Sequence, residues 1–273
     1  MDFQDLLASK FLHPATIEIL DRVIQVTGKS FAVIEDSSLM VPAKVKIARS
    51  FMPHHIIILK QYENDLLNHY IPHECGHILR YYKVTTNKRK TVQSTNQSIQ
   101  NAINDLEKES FDEIKKIPIT KRYQILPIWI DCLISQVTSL PMDIFIEKWL
   151  YDDYPGLRNV QMDSLQVTYQ NAIKTLNPDT FTHFPTSVVM KTNAMNYAFY
   201  KILDFFLGSS FFPTFACSSY QELGEKLFHC IMLKDVGLEG DINLANQWSE
   251  LLGVSDWYSW GDFEEVTDGY GNS

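Results

Sequence analysis

The chain is poor in cysteine and in long apolar runs. Only four of its 273 residues are cysteines, and no two of them form a CxxC pair; they are Cys75, Cys132, Cys217 and Cys230. Scattered cysteines are typical of free thiols in a reducing compartment. No segment reaches the ~20 uninterrupted apolar residues that span a bilayer, and the first residues, MDFQDLLASKFLHP, carry acids where a secretory signal has Lys or Arg. We therefore expect a cytoplasmic protein without a membrane partner.

Basic residues are also scarce. The 24 Lys and Arg are outnumbered by 33 Asp and Glu, which gives a net charge of −9. Binding to phosphate backbones needs clustered cations, so we expect no nucleic-acid partner. The hydrophobic share of 45% excludes wholesale disorder, and the length suits one large domain or two small ones.

Strand signals gather near the N-terminus, and helical patterns fill the rest. Residues 3–27 read as helical, with a second helix opening at Pro14 and stopping at Gly28. Short β-branched segments predict three strands, at 31–34, 45–48 and 55–60, in a small sheet that is most simply antiparallel. The predicted fold class is therefore α+β, with this sheet followed by a mostly helical core and a helical C-terminal part.

The remaining chain contains no convincing strand pattern. The polar stretch 85–98 predicts a mobile loop, and apolar periodicity predicts helices at 99–117, 124–136 and 142–151. We predict a core of residues 1–158 and a helical region of residues 159–273 packed on it.

One pentapeptide carries the strongest chemical signal. Residues 73–77 read HECGH, an HExxH sequence that chance produces in roughly one chain of this length per hundred. On a helix, His73 and His77 lie one turn apart on one face, where both imidazoles reach one zinc ion. Glu74 then lies beside the attacking water and serves as general base.

The residues around this motif leave alternatives open. Pro72 either begins the helix or kinks a longer one, and the first case places Glu74 near the positive end of the helix dipole. Gly76 permits close approach of another backbone or of substrate. Cys75 is expected to be a small core residue.

A third ligand has to come from a distant part of the chain. No third histidine follows at the spacing HExxHxxGxxH, but Asp143 and Glu147 lie four apart on an otherwise apolar helix. A buried acid is costly unless it is paired or bound to a cation. One of the two is expected to bind zinc while the other orients a ligand histidine.

HExxH followed by an acidic helix resembles the gluzincin branch of the zincin metallopeptidases. The segment 139–158 is also similar to uncharacterised bacterial proteins with predicted HExxH peptidase domains; it reads SLPMDIFIEKWLYDDYPGLR. The resemblance covers residues 30–158 at most. It implies zinc ligation by His73 and His77, general-base catalysis by Glu74, and a third ligand from Asp143 or Glu147. The usual gluzincin order favours Asp143, whereas the commoner ligand type favours Glu147.

The function expected from this resemblance is zinc-dependent hydrolysis of a peptide or protein substrate. Two alternatives come from other classes of protein. One is a catalytically silent zincin-fold module that binds or scaffolds, because the helical remainder exceeds a minimal peptidase core. The other is a helical interaction protein whose HExxH arose by chance.

Overall fold

A computed structural model describes residues 11–60, 65–177, 179–216, 220–231 and 234–266. It confirms the α+β class, with 67% of the residues helical, a three-stranded sheet near the N-terminus and a separate two-stranded sheet. The first described helix, α1 (Pro14–Thr27), begins at a proline and ends at Gly28, whose φ of 66° is left-handed. Both ends agree with the sequence prediction; its residues 3–10 lie outside the described part.

The N-terminal sheet consists of β1 (Ser30–Glu35), β2 (Ala43–Lys46) and β3 (His54–Leu59), in the order β1-β3-β2. β2 pairs with β3 in antiparallel fashion, but β1 pairs with β3 in parallel, so the sheet is mixed and the prediction of an antiparallel sheet was wrong. β3 forms the centre, as its unbroken apolar run predicts, so β1 and β2 pair with its opposite edges. Because β2 lies between β1 and β3 in the chain and runs opposite to both, β1 and β3 run in the same direction. Ile57 and Leu59 of β3 are fully buried.

The HExxH sequence lies on α2 (Leu67–Tyr82), which runs through Pro72 without a break. The helix thus begins well before Pro72, and Glu74 is not in its first turn. Buried Asn68 holds the start of the helix: its carboxamide oxygen accepts from the His13 amide at 2.7 Å, and its nitrogen donates to the Phe11 carbonyl at 2.7 Å. The Tyr82 hydroxyl, which donates to the Ala48 carbonyl at 3.0 Å, holds the other end.

The stretch predicted as a mobile loop contains a strand instead. After a 3₁₀ turn at Thr86–Lys88, β4 (Lys90–Gln93) pairs antiparallel with β5 (Ser259–Asp262), and α3 (Asn96–Glu109) follows. Thr95 and Ser98 form a capping box at the start of α3. The prediction was wrong because the partner of β4 lies far away in sequence, and polar side chains gave the strand no apolar signature.

The helices predicted at 124–136 and 142–151 are parts of one continuous helix. After the short α4 (Phe111–Ile114), α5 runs from Ile119 to Asp153 and contains both Pro127 and Pro141. By length and composition alone α5 passes the test for a membrane-crossing helix, but 44% of its most apolar window is buried. The core helix of a soluble protein passes the same test, so the result is weak evidence for a membrane span.

The remaining helices complete the helical C-terminal part. They are α6 (Arg158–Ala172), α7 (Thr180–His183), α8 (Thr186–Leu207), α9 (Gln221–His229) and α10 (Leu238–Leu252). Most of α8 is buried, and α9 packs closely on it: a Cβ on Gly224 would lie 2.5 Å from the Tyr197 ring.

The described chain divides into two compact units that interleave in sequence. The first unit combines the residues up to Arg89 with Phe145–Thr168, and the second combines Lys90–Ile144 with the residues from Tyr169 onward. The sequence prediction took two consecutive parts, 1–158 and 159–273. The first unit therefore contains α1, the three-stranded sheet, α2, the last residues of α5 and most of α6.

Candidate metal centre

The two histidines of the HExxH sequence face each other across one turn of α2. The Nε2 atoms of His73 and His77 lie 3.2 Å apart, and their rings are nearly perpendicular. Two nitrogens that bind one tetrahedral zinc at 2.0–2.1 Å lie roughly 3.3–3.4 Å apart. The observed spacing therefore fits two ligands of one ion, and it also fits an N–H···N hydrogen bond between the rings.

The opposite nitrogen of His73 is held by Glu147. His73 Nδ1 lies 2.8 Å from the Oε1 atom of Glu147, whose side chain is only 2% exposed. An ionised carboxylate only accepts hydrogen bonds, so Nδ1 carries the proton and donates. In a neutral His73 the other nitrogen, Nε2, then carries the lone pair, and this atom faces His77. This is the tautomer that metal ligation through Nε2 requires.

Two more side chains donate to the same carboxylate. His69, one turn before His73, places its Nε2 2.9 and 3.0 Å from the two Glu147 oxygens. Gln161 on α6 donates through its Nε2 to Oε2 at 2.7 Å. On the far side of His69, Nδ1 lies 2.7 Å from the hydroxyl of Ser164. The result is a buried chain of hydrogen bonds that ends at His73.

His69, His73 and Glu147 bring their ligand atoms within 4.8 Å of one another, which is itself close enough for a metal ion. The separations of 2.8–3.0 Å between the imidazole nitrogens and Glu147 oxygens are ordinary hydrogen-bond lengths. They are shorter than the roughly 3.3 Å expected between ligands of one tetrahedral zinc. Each nitrogen also matches a carboxylate acceptor. We therefore interpret this group as a hydrogen-bonded network.

The charge of Glu147 is stabilised within this network. Burial alone would raise the pKa of the Glu147 carboxyl, but the electrostatic attraction and hydrogen bond of His69, followed by those of His73, hold that pKa well below its usual range. The ionised carboxylate is the form that accepts all three donors at once.

Glu74 is half-buried on the same helix as the two histidines. Within the described ranges no hydrogen bond or ion pair holds its carboxylate. A carboxylate without a protein partner keeps its lone pairs available for a proton, as a general base requires.

Asp143, the other predicted acid, is half-buried on α5 one turn before Glu147. It belongs to the last turn of α5 that is counted in the second unit. Residues four apart on a helix share a face, so both acids project from the same side of α5. Glu147 itself accepts from three side chains, those of His69, His73 and Gln161.

Gly76 and Cys75 have structural roles. A Cβ on Gly76 would lie 2.6 Å from Cγ2 of Ile146, so the glycine allows α2 and α5 to pack closely. Cys75 is fully buried, and burial together with the Glu74 charge raises the pKa of its thiol. The prediction of a small core residue is confirmed. Cys132 and Cys230 are also free thiols, while Cys217 lies outside the described residues.

Sequence reasoning missed His69, Gln161 and Ser164. A signal for His69 was present, because it precedes His73 by four residues and extends the row of histidines on that face of α2. Gln161 and Ser164 have no such signal, since they approach Glu147 only after the chain turns into α6.

Comparisons with known proteins add no relative to this picture. No protein-family model matches the chain, and neither curated proteins nor solved structures contain a significant match. The functional argument therefore depends on the geometry of these side chains.

Proposed function

We propose that the protein is a zinc-dependent peptidase. The observation that carries this proposal is the pair of Nε2 atoms, 3.2 Å apart on His73 and His77, with His73 Nδ1 held by a buried carboxylate. Imidazole and carboxylate ligands suit zinc among the common divalent ions. A divalent ion on His73 would also balance the buried charge of Glu147, which is costly to leave uncompensated.

We propose Asp143 as the third ligand. Glu147 is engaged by His73, His69 and Gln161, so its role is to orient a ligand histidine. Asp143 lies one turn before Glu147 on the same helix face. This assignment follows the order of a ligand acid and then an orienting acid, which is the gluzincin order.

Bound zinc would polarise the scissile carbonyl and lower the pKa of a water molecule. The chain's own residues then divide the remaining work. His73 and His77 hold their Nε2 atoms on one side of α2, and the network behind His73 prevents its ring from turning. Glu74, which no protein side chain engages in the described part of the chain, accepts the proton from the attacking water and passes it to the leaving amine.

Two variants, compared with the wild type, test these roles on purified protein. The wild type is expected to hold one zinc per chain and to cleave members of a mixed fluorogenic peptide library. Glu74→Gln should keep zinc and lose about 10²–10⁴-fold in kcat. His77→Ala should lose both zinc and hydrolysis. Wild-type protein without stoichiometric zinc would refute the proposal.

The two acids are distinguished by measuring zinc affinity against a competing chelator. Asp143→Ala should abolish stoichiometric zinc binding, whereas Glu147→Gln should weaken it about 10–100-fold, as for other partners of ligand histidines. Asp153→Ala is the matched control, because Asp153 is an exposed acid on the same helix. Zinc-replete wild type that cleaves no peptide would instead support the catalytically silent binding module.

A further inference from the structure

His69 is a buried histidine that the HExxH sequence does not include. Its side chain is 5% exposed, and both of its ring nitrogens are within hydrogen-bond distance of other side chains. Its ring also packs against the ring of His73, with the two ring centroids 5.8 Å apart. We infer that His69 is a positioning residue, which holds the Glu147 carboxylate in place so that His73 presents Nε2 for metal binding. This inference rests on the proposed zinc site.

The direction of the hydrogen bonds supports this role. Glu147 accepts, so His69 Nε2 carries a proton and donates. In the neutral ring Nδ1 then has a lone pair, which accepts from the Ser164 hydroxyl at 2.7 Å. Glu147 thus sets the tautomers of both His69 and His73, and Ser164 supplies a donor for the other ring nitrogen of His69. The hydrogen bonds that start at α6 thus help to fix the orientation of the His73 ring.

His69 contacts both carboxylate oxygens, whereas His73 and Gln161 each contact one. The separations from His69 Nε2 are 3.0 Å to Oε1 and 2.9 Å to Oε2. A donor shared by both oxygens holds the carboxylate end of the side chain against displacement, while the donors on single oxygens limit its rotation. Without His69 the carboxylate loses this shared donor and is held less firmly beside His73.

A merely structural role makes a different prediction. Loss of a hydrogen-bonded core histidine lowers the free energy of unfolding but leaves zinc affinity of the folded protein unchanged. Loss of a positioning residue weakens zinc binding by about 10–100-fold while the ligands remain. Zinc affinity therefore separates the two roles.

The test compares His69→Ala and His69→Gln by chelator competition on folded, full-length protein. His69→Ala should bind zinc 10–100-fold more weakly and still reach one zinc per chain at saturation. In the cobalt-substituted protein the visible absorption bands should shift. The amide nitrogen of His69→Gln can donate near the position of Nε2, so this variant should recover most of the affinity. Ser164→Ala, which removes only the hydroxyl, should weaken zinc binding several-fold.

His55 provides the matched control. It is another fully buried histidine of the first unit, with hydrogen bonds at both ring nitrogens and no contact with Glu147. His55→Asn should leave zinc affinity unchanged. Wild-type affinity in both His69→Ala and Ser164→Ala, or equal weakening in His55→Asn, would overturn the positioning role while the zinc site stands. A wild type that binds no zinc would remove the proposed function itself.

Discussion

The packing of α2 on α5 can be tested at Gly76 with a single methyl group. In Gly76→Ala the new Cβ would lie 2.6 Å from Cγ2 of Ile146, and 3.1 Å from Cγ1. Ile146 is 1% exposed and branched at Cβ, so its Cγ2 has little room to move. Overpacking of this kind costs about 1–3 kcal/mol, and the better helix propensity of alanine returns about 0.5–1 kcal/mol. We expect the free energy of unfolding to fall by about 1–2 kcal/mol.

A double-mutant cycle separates the steric clash from helix propensity. Ile146→Ala removes the clashing carbons and should itself cost about 2–5 kcal/mol. In that background Gly76→Ala should stabilise the protein by about 0.5–1 kcal/mol, since only the propensity gain remains. The expected coupling between the two sites is therefore about 2 kcal/mol, well above the few tenths that unrelated sites show.

Urea denaturation followed by circular dichroism measures all four proteins of this cycle. Equal effects of Gly76→Ala in both backgrounds would show that Ile146 does not lie against the glycine. A stabilising Gly76→Ala in the wild-type background would refute the close packing of the two helices, and with it the placement of Glu147 beside His73.

Three further predictions concern the scaffold of the first unit. Burial, and then the charge of Lys29, lowers the pKa of His55 from 6.5 to about 4, so the unfolded chain binds more protons between these values. The contribution of His55 to the free energy of unfolding is complete above pH 6.5 and falls as the pH drops toward 4. In urea denaturation at a series of pH values, His55→Asn should therefore make the free energy of unfolding less dependent on pH in this range. Asn68→Ala should cost about 2–3 kcal/mol in the same melts because buried groups lose their partners, whereas the exposed Gln97→Ala should stay within about 0.5 kcal/mol. Gly28→Ala should cost about 1–2 kcal/mol in thermal melts, since φ is 66° there; an unchanged melting temperature would contradict the left-handed helix end.

Local signals predicted the local structure well. Pro14 and Gly28 act within their own turn of chain, and both ends of α1 are confirmed. The strands near the N-terminus are within two residues of their predicted starts. The HExxH spacing required a helix, and α2 supplies it. In each case the residues that determine the structure lie within a few positions of the element that they shape.

Distant partners account for what the sequence did not reveal. β4 has a single apolar residue, Val92, and its partner β5 lies more than 160 residues later. Pro127 and Pro141 do not interrupt α5, although proline usually ends or kinks a helix. The sequence did not decide between Asp143 and Glu147 as the third ligand. The contacts of Glu147 with His69 and Gln161 are tertiary, so no local pattern predicts them.

The interleaved order of the first unit has a consequence for biosynthesis. Ser164 follows His69 by 95 residues, and all of Lys90–Ile144 is made between the two halves of this unit. At 5–20 residues per second the ribosome needs about 5–19 s to cover that interval. For most of that time the nascent α2 lacks Glu147, which follows His69 by 78 residues, and Ser164 is missing throughout. A release of the chain at residue 158 would leave a fragment with the HExxH sequence but without Gln161 and Ser164, so the metal-facing ring of His73 would lack part of its anchor.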